Sequence, residues 1–438
     1  MRLLLAAALS LIPAAGLAQE RPRETWLVTT DLWGNAERQL LTLERSGAAL
    51  TGDLGGAPLT GRRTGDRITF VATDRRASAY RFAGRVVAGA FTGSADYPDT
   101  NDPAKRAIHP FTARRIPDRP PGGARRRRYE PATFSNEFTA RRDPVLVIWP
   151  GDTVSTRTID SGGADEHGET RALYGNPQTG PFFVATARPG DVLAVHIQRL
   201  RLNRDHAESL DGIVGRAMTP GLAARAGGLG KRVRWRLDRA RGLARVEDAP
   251  ERLRDFAVPV RPMLGGLGVA PDFGFAAASG GDSGRFGGNM DYNEVAEGAT
   301  VYLPVFQPGA LLYLGDGHAA QGDGETTQWA LETSLDVELV VEVIPARPLA
   351  TPRVESATHI MALGQAGSLD DALRSATAGL VQWLEQDYGL NLSEISLILG
   401  SSVEYEVVTL AGRNVGIAAR LEKARLSTLA PTTPRPGG

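Results

Sequence analysis

Between Gly287 and Glu325 the chain concentrates residues able to hold a cation or move a proton. Asn289 and Asp291 come first; Asp316, His318, Gln321, Asp323 and Glu325 follow, interleaved with Gly315, Gly317, Gly322 and Gly324. Glycine lets a backbone turn sharply, which allows short carboxylates to approach one another. A single imidazole among carboxylates is a hard-to-borderline donor set, suited to zinc or another divalent ion. Buried without a cation, such acids would repel one another and push up their own pKa values. The same spacing also suits a calcium-stabilised or solvated glycine loop with no catalytic task.

Composition narrows the chemistry further. The 438 residues contain no cysteine, which removes a thiol nucleophile, a thiolate zinc knuckle and a disulfide framework. Lysine occurs only as Lys105, Lys231 and Lys423, so a Ser–Lys hydrolase has few candidates. Fifty basic residues balance fifty acidic ones, and this zero net charge speaks against a nucleic-acid-binding face. Any hydrolytic machinery must therefore use carboxylates, hydroxyls, histidines or a metal held by nitrogen and oxygen.

These residues need elements to position them, and 51 glycines and 28 prolines favour β architecture over a helical bundle. Residues 1–18 read as a signal peptide: Arg2, an apolar run from Leu3 to Leu11, then small residues up to Ala18. The expected location is the periplasm or beyond, with no membrane contact in the mature form. Residues 19–116 alternate apolar and polar residues between glycine turns and predict a small antiparallel β-domain. The Pro/Gly/Arg stretch 117–128 suits a solvated linker. Residues 129–426 form the larger, mainly β domain, with strands at Pro144–Trp149, Thr153–Ile159, Ala310–Leu314 and Val337–Ile344. Its small C-terminal α/β segment has a helix capped by Ser368 and stopped at Gly389, a second short helix over Ser393–Leu399, and a strand over Val403–Leu410. Residues 427–438 read as a disordered tail. His109 and His196 read as structural histidines, and Arg204 as loop scaffolding.

Several of these segments resemble one family. Gly288-Asn-Met-Asp291, Tyr302-Leu-Pro-Val305, Gly315-Asp-Gly-His318 and Gly322-Asp-Gly-Glu325 are similar to motifs of the acetamidase/formamidase family. Asn176-Pro-Gln-Thr-Gly-Pro181, Arg261-Pro-Met-Leu-Gly-Gly266 and Leu369-Asp-Asp-Ala372 fall in the same order. The resemblance runs from about residue 133 to 424 and leaves out the N-terminal β-domain. It implies a mainly β, sandwich- or barrel-like fold, an oligomeric and metal-dependent protein, and hydrolysis of short amides to a carboxylate and ammonia. Carried onto this chain, it makes Asp291 and His318 the foremost metal ligands, with Asp160 and Asp316 next. Glu325 matches the end of its motif and is assigned here as general base, with Asn289 and Gln321 orienting the substrate. Zinc is the expected ion, with an additional calcium as a further option. A carbamate or lactam hydrolase of the same family, and a secreted metal- or ligand-binding β-protein without turnover, are the alternatives.

Overall fold

The computed structural model describes residues 23–102 and 104–429; the expected signal peptide and positions 430–438 of the expected tail lie outside the described residues. The chain divides into two compact units, the first made chiefly of residues up to Arg115 and the second of those from Ile116 onwards.

In the first unit, eight strands between Arg23 and Ile116 pair each with the next and close into an antiparallel barrel. Alternation explains it: in Arg67–Thr73 the buried residues are Ile68, Phe70 and Ala72, while Arg67, Val71 and Thr73 are exposed. An eight-stranded barrel is just wide enough for side chains to fill. Here aromatic rings do so: Phe70 stacks on Phe82 at 4.7 Å, and Phe91 meets Phe111 edge-on at 4.9 Å. His109 is buried beside Tyr97 in the same interior.

The second unit contains a nine-stranded and an eleven-stranded sheet. Val154, Leu193 and Val301 from the first, with Phe182, Leu267 and Leu314 from the second, belong to one hydrophobic cluster. The mainly β architecture expected from the sequence is therefore what the chain adopts.

Two local readings change. Residues Arg126–Arg128, expected within a solvated linker, pair in parallel with Thr153–Arg157 and form one edge of the nine-stranded sheet. Arginine suits an edge strand, where charge discourages pairing with another chain. The second change bears on the site. Asp316 and His318 lie not in a glycine loop but on the strand Leu312–His318, every residue of which is buried. Its neighbours are Gln178–Val184, Met263–Val269 and the short strand Glu332–Thr333. The glycines that suggested a turn serve close packing instead. A Cβ on Gly315 would lie 2.8 Å from the Gln178 amide, and one on Gly317 would lie 2.8 Å from Leu335.

The C-terminal helices follow their signals. The longer helix, Leu369–Tyr388, is capped by Ser368, which accepts from the Asp371 N–H, and ends at Gly389 with φ of 65°. The shorter runs Leu392–Ser402, and the strand beyond it Glu404–Thr409. Ala372, Ala376, Leu380 and Trp383 bury one helical face with Ile360, Ala362 and Ile417 of the sheet. The approach is so close that a Cβ on Gly364 would fall 1.9 Å from the Ala372 carbonyl oxygen and 2.5 Å from the Ala376 nitrogen. Gly364→Ala is accordingly expected to destabilise this unit by about 3 kcal/mol, the upper range for overpacking. Gly367→Ala, where a Cβ meets nothing within 4 Å, should stay within about 0.5 kcal/mol of the parent. Urea unfolding of the two variants compares them directly.

Candidate metal centre

Backbone placement comes first. Asp316 and His318 stand two residues apart on the buried strand Leu312–His318. His318 pairs across the ladder with Met263 on one side and Glu332 on the other. Asp291 follows the short strand Gly287–Asn289, which pairs with Met263–Val269. Glu325 is held where Gly324 bridges to Thr409, whose hydroxyl donates to Glu325 at 3.3 Å. Between them Gly265 forms a floor that no other residue fits. A Cβ there would sit 2.6 Å from an oxygen of Asp291, 2.6 Å from one of Asp316 and 3.0 Å from the His318 ring.

Donor atoms of Asp291, His318 and Glu325 lie within 4.8 Å of one another, as do those of Asp316, His318 and Glu332. The two sets share one imidazole, and His318 is fully buried with Asp291 and Asp316 only 1% exposed. Three of these acids have left-handed backbone: φ is 45° at Asp291, 54° at Asp316 and 44° at Glu325; Asn176, with 54°, joins them. Such conformations cost non-glycine residues on the order of 1 kcal/mol or more each and persist where surrounding structure over-determines them. Their concentration here marks a site built for something other than stability.

An amide network sets the side chains. The Asn176 amide donates to Asp316 at 2.8 Å and to the Asn289 carbonyl oxygen at 2.8 Å, and Asn289 in turn donates to Asp291. Gln321 donates to the Asp291 backbone carbonyl, which turns its own carbonyl oxygen to His318 Nδ1 at 2.9 Å. That oxygen can only accept, so Nδ1 carries a proton, and Nε2 is the ring atom left to engage a cation once its own proton is lost. Nε2 lies 3.2 Å from Glu332 and 3.4 Å from Asp316.

The electrostatics are those of a crowded acid cluster. Burial pushes the Asp291 carboxyl well above its usual range, and the negative charges of Glu325 and Asp316 push the same way. Glu325 is pushed up to about 8, first by burial, with Glu332 and Asp316 adding to it against the opposing pull of His318. Burial also raises Glu332, again against His318. Burial disfavours the charged form of His318, but Glu332 and Asp316 together hold its pKa well above the ordinary value.

Do these residues suit a cation? Asp291 Oδ1, Asp316 Oδ1, Glu332 Oε2 and His318 Nε2 are all buried without a hydrogen-bond partner. Buried polar atoms left unpartnered in two donor sets that share one imidazole are costly unless an electrophile engages them. A histidine that binds a metal usually donates its other ring N–H to a fixed acceptor, which sets its tautomer, as Nδ1 does here to Gln321. The set fits a divalent ion held by nitrogen and oxygen.

Against the sequence reading, the structure brings together Asp291, Asp316, His318 and Glu325. Asp160 stands outside both donor sets: the buried Arg204 guanidinium donates to it at 2.7 Å, and a carboxylate so neutralised is a poor partner for a second cation. Arg204 also donates to the Glu332 carbonyl oxygen at 3.2 Å, tying Asp160 to the strand beneath the site. Asn289 and Gln321, expected to orient substrate, have their amides committed at both ends within the cluster. No spacing in the sequence points to Glu332 as a donor, and Gly265 figures there only within the run Arg261–Gly266. Glu332 lies beyond the glycine-spaced run, and only the pairing Glu332–His318 brings it in. Asn176 stands within a quoted motif, but nothing in its spacing points to Asp316.

The sign of the pH dependence follows for protein stripped of metal. Between the ordinary glutamate value and about 8, native Glu325 keeps a proton that the unfolded chain has released. Stability then falls as pH rises through that window, since the native state binds more protons. Thermal melts of chelator-treated protein are expected to show this decline, and Glu325→Gln to flatten it.

The comparisons with known proteins agree with this geometry. Residues 280–359, which include both donor sets, match the acetamidase/formamidase family model. An acetamidase of Mycolicibacterium smegmatis is 33% identical over 121 residues, 26% of each chain. A shorter match, 54% identical over 39 residues, covers 10% of a Schizosaccharomyces pombe protein named as a formamidase. The chain thus matches 26% and 10% of the length of these two relatives. Solved structures extend the likeness to about 70% of this chain. An acetamidase of Yersinia enterocolitica aligns with a TM-score of 0.60 and 28% identity over 70% of this chain and 95% of its own. One from Bacillus halodurans aligns at 0.58 and 26% over 69% and 99%. In the sequence of its central segment and in the fold that holds it, this chain is similar to proteins of the acetamidase/formamidase family.

Proposed function

We propose that the protein is a divalent-metal-dependent amidase that cleaves the C–N bond of short linear amides such as formamide or acetamide, releasing a carboxylate and ammonia. The observation that carries this reading is the two buried donor sets that share His318, in which Asp291, Asp316, Glu332 and His318 each keep an atom without a hydrogen-bond partner. The family likeness supports the reaction class. Deep burial supports small substrates, because only a compact molecule reaches donors this enclosed.

His318, Asp316, Glu332 and Asp291 would hold the ion, with zinc the first expectation from their nitrogen and oxygen donors. Such an ion, when bound, polarises the amide carbonyl and acidifies water. The chain's own residues supply the rest. Glu325 is the general base: its carboxylate takes the proton from the attacking water as the O–C bond forms. It returns that proton to the amide nitrogen, and the C–N bond breaks with ammonia leaving. Asn176 and Asn289 hold the Asp316 and Asp291 carboxylates in orientation, and Gln321 fixes the imidazole tautomer. Exclusion of water strengthens each of these interactions. The leader at 1–18 supports export to the periplasm, and the family likeness supports a homo-oligomer.

Metal analysis of purified protein together with ammonia release from formamide and acetamide tests the proposal. His318→Ala should lose bound metal and activity together. Glu325→Gln should keep metal while its turnover falls by roughly 10² to 10⁴, the usual contribution of a positioned general base. Metal-loaded protein that releases no ammonia from any short amide would leave a binding function as the better account.

A further inference from the structure

We propose that a second site in the same unit binds a soluble, chain-like molecule carrying several oxyanion groups. It is a cavity of about 990 Å³, and none of the residues of the acid–imidazole cluster lines it. That volume lies at the upper end for ligand sites.

Its floor is a charged face of the nine-stranded sheet. One cross-strand row runs Arg128, Ser155, Glu338, Arg199, and the next runs Arg157, Asp336, Arg201. Neighbouring strands lie about 4.8 Å apart, and residues two apart on one strand are separated by about 7 Å. The arginines therefore stand roughly 7 Å apart along a strand and about 10 to 14 Å apart across the floor. Arg126 and Arg239 complete the lining. Such separations exceed the reach of one small anion and match a chain that presents charged groups at intervals.

Charge decides the ligand's sign. Six arginines line the cavity against Glu130, Asp336 and Glu338. The acids already have donors: Arg126 reaches Glu338 at 2.5 Å, Arg128 and Arg157 reach Glu130 at 2.8 and 2.7 Å, and Asn203 donates to Asp336 at 3.2 Å. Arg201 is paired with Glu297. The Arg199 and Arg239 side chains are exposed and make no hydrogen bond or ion pair with another described residue. Arg157 is also paired with Glu166, and Arg199 stands near enough to Glu297 to help hold that carboxyl below its usual range, so the Arg239 guanidinium and part of the Arg199 charge remain for an incoming ligand. The planar guanidinium fork pairs with carboxylate and phosphate oxygens two at a time, which ammonium groups do not.

Isothermal titration of the full chain with tetragalacturonate and, separately, with short linear polyphosphate tests this and tells carboxylate from phosphate recognition. At least one probe is expected to bind saturably, weakening as salt rises. Acetate and orthophosphate should bind at least about tenfold more weakly, and Arg199→Ala/Arg239→Ala should weaken the probe by about tenfold or more, as when two charge-assisted contacts are lost. Both residues are exposed, so the variant's melting temperature should match the parent's and show that it folds. Absence of saturable binding by either probe, or equal binding by the folded double variant, overturns the proposal.

Discussion

Four carboxylates share one imidazole in a space shut off from water, and much of the surrounding structure answers to that single constraint. Like charges at this separation in a low-dielectric interior cannot all be ionised without compensation. The chain compensates in two ways. Asn176, Asn289 and Gln321 donate into the cluster, and the strand order brings the only nearby imidazole between two pairs of acids. What these donors leave unsatisfied are Asp291 Oδ1, Asp316 Oδ1, Glu332 Oε2 and His318 Nε2. A cation completes such a set, whereas a hydrophobic repacking does not.

Rigidity follows from the same requirement. Donors must stay within a fraction of an ångström of their places to hold an ion. The site is accordingly carried by a fully buried central strand and not by a surface loop. Glycine is used where neighbours crowd the backbone: Gly265 leaves room for two carboxylates and the imidazole, and Gly315 for the Gln178 amide. Positive φ at Asp291, Asp316 and Glu325 shows that geometry has been held against local preference. The sheet's ladder and its covered faces supply the stabilisation that offsets this strain.

The placement of Arg204 illustrates how far the constraint reaches. Its guanidinium neutralises Asp160 close to the cluster and at the same time holds the Glu332 strand by its carbonyl. One more acid is thereby kept out of an already crowded donor set. The opposite balance holds on the charged face of the nine-stranded sheet, where six arginines line the cavity against three acids. The two regions differ in the sign of what they lack.

Much of this was legible in the chain. Alternation in Arg67–Thr73 and its neighbours gave the N-terminal β-domain, because a half-buried strand must alternate. Ser368 and Gly389 bounded the long helix, since capping and left-handed termination are local matters. The ordered motifs marked the family, and the acids and histidine of the run Gly287–Glu325 were recognisable as donors from their chemistry alone. Which of them converge was not. The resemblance set Asp160 among the ligands, and only the tertiary structure shows that Arg204, 44 residues on, pairs with it. Spacing left out Glu332, which only antiparallel pairing sets beside His318. It read Gly315 and Gly317 as a turn, because glycine signals both turns and close contacts, and a contact has no signature until its partner is in place. Residue types and local periodicity reside in neighbouring positions and so belong to the sequence. Donor geometry, tautomer and neutralisation depend on groups brought together across the sheet, and the tertiary structure alone decides them.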